Sequence, residues 1–226
     1  MNNHEITIKT DEILSLTIRD GRTQPWLWYL DIHGQPIYFI GNNCGTCPAI
    51  FSRVHNAKLP LTPKQLSNQL DTGIGTISQD IINTVSVLLP KGRYNIKLST
   101  VKPSMITEKN LPTQIGCQSD YFWLCRFAKR GKGAEYEIIL PIVAPLELNP
   151  KRIEFYKAIF ERGLEPTALA FTIHDNRAVN NEIPQIALVH FLLDGHHKVM
   201  AASQMSRKIS LLSFERLDTY AETAKM

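Results

Sequence analysis

The feature that most restricts the fold is an apolar run near the C-terminal end that stops abruptly at a polar turn. Residues 186–193 have the sequence IALVHFLL and are followed by Asp194, Gly195, His196, His197 and Lys198. A short apolar run that ends at such a turn is typical of a buried strand. Residues 197–205 then predict a helix, and residues 209–214 predict another strand. This order favours an α/β unit.

The segment before the apolar run extends the predicted unit. Asn149 and Pro150 predict the start of a helix, because asparagine caps helices and proline fits their first turn. Residues 166–173 predict a strand, and residues 175–184 predict a polar connection. The C-terminal unit, residues 146–226, is thus predicted to contain a helix, two strands, a helix that crosses over, and a final strand.

Residues 1–145 predict a β-rich layer with helices. Alternating side chains predict strands in the first forty residues, including a hairpin whose strands, 26–32 and 36–40, flank a turn at Gly34. Residues 44–89 predict a helical segment. Helix starts are predicted near Pro48, near Pro63 and at either Thr76 or Ser78, strands at 94–98, 121–125 and 136–140, and a long loop at 99–120. The whole chain is therefore predicted to have an α+β fold.

The composition is that of a globular protein, with 226 residues, 43% of them hydrophobic and 20% charged. The N-terminal residues do not resemble a signal peptide, and no apolar run has the length of a membrane span, so a cytoplasmic location without a membrane partner is expected.

The net charge of +4 is small for a nucleic-acid-binding protein. Basic clusters at 126–132 and 207–208 are interpreted as solvated charge or as contacts to phosphate.

The turn after the apolar run combines several groups that suit an anion. Gly195 permits a tight turn, and the backbone N–H groups of residues 196–198 would start a helix without intrahelical acceptors. The helix dipole and the charge of Lys198 would attract phosphate, and His196 or His197 can donate a hydrogen bond or exchange a proton. The alternative is structural, with Asp194 as a helix cap beside a turn glycine.

Residues 193–202 and the predicted strand at 209–214 resemble the phosphate-binding box of the ParB/sulfiredoxin-like superfamily. Gly195 matches the glycine of that box, His196 its Glu or Cys, His197 its Arg or His, and Lys198 its final Arg. Two positions depart from the pattern. His196 replaces the nucleophilic cysteine of sulfiredoxin, so reduction of cysteine sulfinic acid is not expected, and Lys198 lacks the bidentate fork of arginine. No helix-turn-helix segment follows residue 214.

The resemblance implies a nucleotide or a phosphorylated small molecule as ligand, and phosphoryl chemistry like that of the superfamily's small-molecule kinases. ATP or another nucleotide with Mg²⁺ is the implied cofactor. Gly195, His197 and Lys198 would hold phosphate, and His196 or Asp194 would act as base or metal contact. From their position after the preceding strand, Asp175 and Arg177 are predicted to reach the same crevice.

Cys44 and Cys47 form a Cys-Gly-Thr-Cys element that follows a predicted strand. The element allows three interpretations: dithiol chemistry, a zinc site completed by Cys117 and Cys125 or by His55, or cysteines that only support a glycine turn.

Two other functions stay open at this stage, and both would use a different surface. One is a non-catalytic assembly module whose aromatic strands, which include Trp26, Trp28 and Tyr38, bind a partner. The other is nucleic-acid processing like that of ParB-like nucleases, which the dispersed basic residues disfavour. The sequence also allows an oligomer. The chain as a whole resembles bacterial proteins.

Overall fold

The computed structural model describes residues 4–18, 28–41, 50–58, 61, 64–110, 115, 121–131, 133–179 and 183–218. In chain order the strands are β1 (His4–Ile8), β2 (Leu14–Thr17), β3 (Trp28–Ile32), β4 (Gln35–Gly41), β5 (Ile50–Arg53), β6 (Gly92–Val101), β7 (Ser104–Thr107), β8 (Tyr121–Arg130), β9 (Gly133–Pro141), β10 (Thr167–Val179), β11 (Ile183–Asp194) and β12 (Ile209–Arg216). The helices are α1 (Lys64–Thr72), α2 (Gln79–Ser86), α3 (Pro150–Glu161) and α4 (His196–Gln204). The protein therefore has the expected α+β fold, rich in strands.

Eight strands form the larger sheet, in the order β1-β6-β12-β10-β11-β9-β8-β7. Strands from both predicted units pair within it: β9 is parallel to β11, and β6 is antiparallel to β12. The predicted division between residues 145 and 146 therefore does not coincide with a break in the sheet. Helix α3 connects β9 to β10, and helix α4 connects β11 to β12.

The larger sheet is strongly curled, as the connection between β6 and β7 requires. These strands are second and last in the sheet order, which in a flat sheet would separate them by about 29 Å. Only Lys102 and Pro103 join them, and a link of that length spans at most about 11 Å. Helix α4 contacts β7, β10 and β12 and so packs across one end of the curled sheet. The N–H of Met105 in β7 donates to Ser203 Oγ of α4 at 3.1 Å.

The smaller sheet has the order β2-β3-β4-β5 and packs on the larger one. The predicted hairpin is confirmed, with His33 and Gly34 at φ 50° and 74° as a two-residue turn requires. The ring centroid of Phe191 in β11 lies 5.2 Å from that of Tyr38 and 6.4 Å from that of Phe51. The core therefore lies between the two sheets. Tyr38 belongs to this core, so it is not part of an aromatic partner surface.

Three helices begin where their capping residues predict. Ser78 Oγ accepts the N–H of Ile81 at the start of α2, and Asn149 Oδ1 accepts the N–H of Lys151 at the start of α3. Helix α1 covers the segment predicted to follow Pro63. None of the described helices is long and apolar enough to cross a membrane.

Three secondary-structure predictions were wrong, in each case because the preceding or following strand supplies hydrogen bonds. Residues 50–53 form β5 rather than a helix, since β4 pairs with them. Residues 175–179 and 183–184, predicted as a connection, continue β10 and β11, which pair over their whole length. The predicted loop at 99–120 contains the end of β6 and all of β7, which pairs with β8.

Candidate functional site

The turn before α4 requires a glycine. Gly195 has φ 97°, and a Cβ added to it would lie 3.0 Å from both the Cα and the Cβ of Ala168 in β10. Gly195 also caps α4 without a side-chain hydrogen bond, and its carbonyl accepts the N–H of Val199 at 2.8 Å. The N–H groups of residues 196–198 therefore lie in the first turn of α4 and have no intrahelical acceptors, as predicted.

Lys198 lies at the bottom of the site and is only 2% exposed. Its ammonium group donates to Asp194 Oδ2 at 3.0 Å and to the Thr167 carbonyl at 3.2 Å, and it forms an ion pair with Asp71 Oδ1 at 2.8 Å. Two carboxylates of the protein thus already pair with the charge of Lys198. The sequence assigned this charge to a phosphate, but α1 brings the carboxylate of Asp71 to it.

Two residues of α3 complete the group around this lysine. Tyr156 Oη donates to Asp71 Oδ1 at 2.8 Å, and Arg152 Nη2 donates to Tyr156 Oη at 3.3 Å. The Tyr156 ring also lies beneath the ammonium, 5.7 Å from ring centroid to Nζ, and burial raises the pKa of its hydroxyl. We call these five residues, Lys198, Asp71, Asp194, Tyr156 and Arg152, the Lys198 cluster.

The two histidines of the turn have separate structural partners. His196 is buried, its Nε2 accepts the N–H of Ile142 at 3.2 Å, and burial lowers its pKa to about 3. It is therefore neutral and remains inside the protein. His197 Nε2 accepts the N–H of Asn149 at 3.0 Å, and its pKa is lowered first by burial and then by the charge of Arg152.

The bond between His197 and Asn149 brings two helix ends together. Asn149 is the N-cap of α3, and His197 lies in the first turn of α4. Both helices therefore direct the positive ends of their dipoles to one place, where the guanidinium of Arg152 adds a full charge. Asp71 and Asp194 keep 32% and 24% of their side-chain surfaces exposed, so their carboxylates can also meet a solvated cation.

Asp175 and Arg177 do not belong to this site. Asp194 pairs with Leu169 in β10, and Asp175 lies six residues further along that strand, roughly 20 Å away. The backbone of Arg177 lies further still, opposite Gln185. The prediction that both reach the same crevice was wrong, because β10 continues in extended form where a loop was expected.

The predicted metal and dithiol element, Cys44 and Cys47, lies outside the described residues, as does Cys117. Cys125 is described, and burial raises the pKa of its thiol, which makes it a poor nucleophile. Within the described part of the chain, no three His, Cys, Asp or Glu side chains are grouped so that they could hold a metal ion.

A second polar group, not predicted from the sequence, runs across the larger sheet. Thr172 Oγ1 lies 2.8 Å from His190 Nδ1, and His190 Nε2 lies 3.1 Å from Glu137 Oε1. The hydrogen bond with His190 lowers the pKa of Glu137, whose carboxylate also lies 3.7 Å from Arg126 Nε. Thr172 and His190 are 1% and 2% exposed, so this hydroxyl and this imidazole are closed to a substrate, and the three linked side chains stabilise the sheet.

Sequence reasoning missed the residues that surround Lys198. Asp71 falls on a predicted helix as an ordinary polar residue, and Tyr156 counts as part of the apolar face of α3. No local signal connects either residue with α4. Comparison of the chain with known families, curated proteins and solved structures finds no match. The resemblance to the ParB/sulfiredoxin-like superfamily therefore stays a prediction.

Proposed function

We propose that this protein binds a nucleotide or a related phosphorylated small molecule, together with Mg²⁺, at the N-terminal end of α4. The observation that supports the proposal is the Lys198 cluster beside three helix N–H groups without intrahelical acceptors. Backbone N–H groups at a helix start, a dipole and a nearby guanidinium are the usual elements of a phosphate site.

The proposed roles differ from those that the sequence assigned. The N–H groups of residues 196–198 and the exposed guanidinium of Arg152 contact the phosphates. Lys198 holds the carboxylates of Asp71 and Asp194 in place from below. These two carboxylates would hold Mg²⁺, since Mg²⁺ in nucleotide sites commonly takes one or two carboxylates and completes its shell with phosphate oxygens and water.

The proposed activity is phosphoryl transfer to an acceptor hydroxyl. The acceptor oxygen forms a bond to the terminal phosphorus, the bond from that phosphorus to the bridging oxygen breaks, and the nucleoside diphosphate leaves. The proton of the acceptor hydroxyl passes to water, because Asp194 is paired with Lys198 and would hold Mg²⁺. Arg152 and the helix N–H groups stabilise charge on the transferred group, and Mg²⁺, when bound, offsets the charge of the remaining phosphates.

Isothermal titration calorimetry with ATP, ADP and CTP, each with and without Mg²⁺, tests this proposal. Arg152→Ala is the informative variant because Arg152 is exposed and its loss leaves the core intact. We expect its affinity for the bound nucleotide to fall about tenfold, the usual effect of losing one charged hydrogen bond. Lys151→Ala is the matched control, since it removes the same charge from the neighbouring position of α3 and should bind like the wild type.

Two results would reject the proposal: no nucleotide binds the wild type, or Arg152→Ala binds as tightly as the wild type. Either result would favour the second candidate, a non-catalytic assembly module in which the turn is structural. The observation that favours this candidate is the burial of His196 and Lys198, each of which forms hydrogen bonds with groups within the protein. Light scattering of the purified protein would then identify the assembly.

A further inference from the structure

A separate cavity lies at the other end of the helix pair, where α3 and α4 finish. It has a volume of about 320 Å³, and its wall includes Phe160, Leu164, Lys102, Arg207 and Lys208. Helix α3 has 12 residues, so its two ends are about 18 Å apart, and the cavity is distinct from the proposed nucleotide site. The volume is that of a pocket for a small organic molecule.

Three cations line this cavity. Lys102, Arg207 and Lys208 are exposed, and none of them forms an ion pair with any residue in the described ranges. Glu165 is the single acidic residue among the lining side chains. The rim of the cavity therefore has an excess of positive charge, which suits an anion.

The wall of the cavity is apolar beneath this charged rim. Phe160 is 5% exposed and forms part of the core, whereas Leu164 is 46% exposed. A ligand with an apolar body would cover the exposed surface of Leu164 and gain hydrophobic stabilisation there. An inorganic anion would leave that surface in water.

The backbone at the two helix ends is already satisfied without a ligand. Gly163 follows α3 and Ser206 follows α4, with φ 78° and 53°. Each helix therefore ends at a residue with a left-handed backbone. The N–H of Leu164 donates to the Ile159 carbonyl at 3.3 Å, and the N–H of Arg207 donates to the Ala202 carbonyl at 2.8 Å. The three cations are thus not needed to cap the helices by hydrogen bonds, although their charges also lie near the negative dipole ends.

We infer that this cavity binds a small organic anion, one with an apolar body and a terminal phosphate or carboxylate. The cations of the rim bind the anionic group, and Phe160 and Leu164 contact the apolar body. The inference goes beyond the proposed nucleotide site and does not depend on it.

Fluorescence anisotropy with 1-naphthyl phosphate as the probe tests the inference. We expect the wild type to bind it, and the double variant Arg207→Ala/Lys208→Ala to bind it at least about tenfold more weakly. Inorganic phosphate and 1-naphthol, each offered as a competitor, should be at least about tenfold weaker than the probe because each lacks one half of the ligand. The control, Lys9→Ala/Lys109→Ala, removes the same charge elsewhere and should match the wild type.

Three results would overturn the inference. The first is equal binding by the wild type and Arg207→Ala/Lys208→Ala. The second is inorganic phosphate competing as well as the probe, which would leave no part for the apolar wall. The third is loss of probe binding in Arg152→Ala, which would move the ligand to the other end of α3. The nucleotide titration of Arg207→Ala/Lys208→Ala separates the two proposals, because it should match the wild type whether or not the probe binds.

Discussion

The two ends of the α3 and α4 pair use basic residues in opposite ways. At the N-terminal end, Lys198 is buried, forms ion pairs with two carboxylates and donates to a carbonyl. At the C-terminal end, Lys102, Arg207 and Lys208 are exposed around a cavity and form no ion pair with any residue that the structure describes. The first arrangement holds three segments of the chain together. The second leaves its charge available to a ligand.

This difference shows that membership of a motif does not make a cation available. Lys198 belongs to the segment that most resembles a phosphate box, yet two carboxylates of the protein already pair with its charge. Arg207 and Lys208 appear in the sequence only as a basic pair, yet they form no ion pair within the described ranges. The availability of a cation depends on which acidic residues the rest of the fold brings near it.

The largest expected effect comes from Lys198→Met, which removes the ammonium and leaves two carboxylates close together. We expect the free energy of unfolding to fall by about 3 kcal/mol, as when one partner of a buried ion pair is removed. Urea denaturation followed by circular dichroism measures it. Arg207→Ala/Lys208→Ala is the control and should change stability by less than about 0.5 kcal/mol. Equal effects of the two variants would remove the distinction between the helix ends.

The next largest effect is a pH dependence of the free energy of unfolding. It arises from His196, at the N-terminal end of the helix pair. Burial lowers the pKa of His196 from 6.5 to about 3, so below pH 6.5 the unfolded chain binds a proton that the folded protein does not. The contribution of neutral His196 to the free energy of unfolding is therefore full above pH 6.5 and declines as the pH falls toward 3. Between pH 7.5 and pH 5 we expect a loss of about 2 kcal/mol.

Urea denaturation at pH 7.5, 6 and 5 measures this loss. His196→Gln keeps an acceptor for the N–H of Ile142 but cannot take up the proton, so its stability should depend less on pH. His55→Gln, at an exposed position, is the control and should follow the wild type. A parallel pH dependence of the wild type and His196→Gln would contradict the assignment of the effect to His196.

The smallest expected effect compares two glycines, one at each end. Gly195→Ala combines a left-handed backbone with a Cβ only 3.0 Å from Ala168, whereas a Cβ on Gly163 has nothing within 4 Å. Both variants bear the cost of the left-handed conformation, about 1–2 kcal/mol. Gly195→Ala should lose about 1 kcal/mol more because of overpacking. Thermal unfolding of the two variants side by side measures the difference, and an equal loss would show that Ala168 moves freely.

Local signals in the sequence predicted much of the fold. The capping side chains of Ser78 and Asn149, and the turn at Gly34, each act within a few residues, so the sequence contains all that they require. Gly195 belongs to the same group, because its left-handed turn depends on the adjacent strand and helix. These positions also located the candidate site.

The remaining features depend on partners in other elements, from the neighbouring strand to segments far away in the chain. Residues 50–53 become a strand because β4 pairs with them, and β10 extends through polar residues because β11 runs alongside. Asp71 meets Lys198 only when α1 packs against the start of β10. No periodicity or capping pattern contains such information, so the chemistry of the site could not be derived from the motif alone.

The position of β12 has a consequence for the order of folding. Among the described strands, β12 lies between β6 and β10 and joins them within the larger sheet. A nascent chain that has not yet released residues 209–216 from the ribosome therefore exposes the edges of both neighbouring strands. The sheet closes only after these residues have emerged, and such long-range pairing is slow because a large loop has to be ordered first.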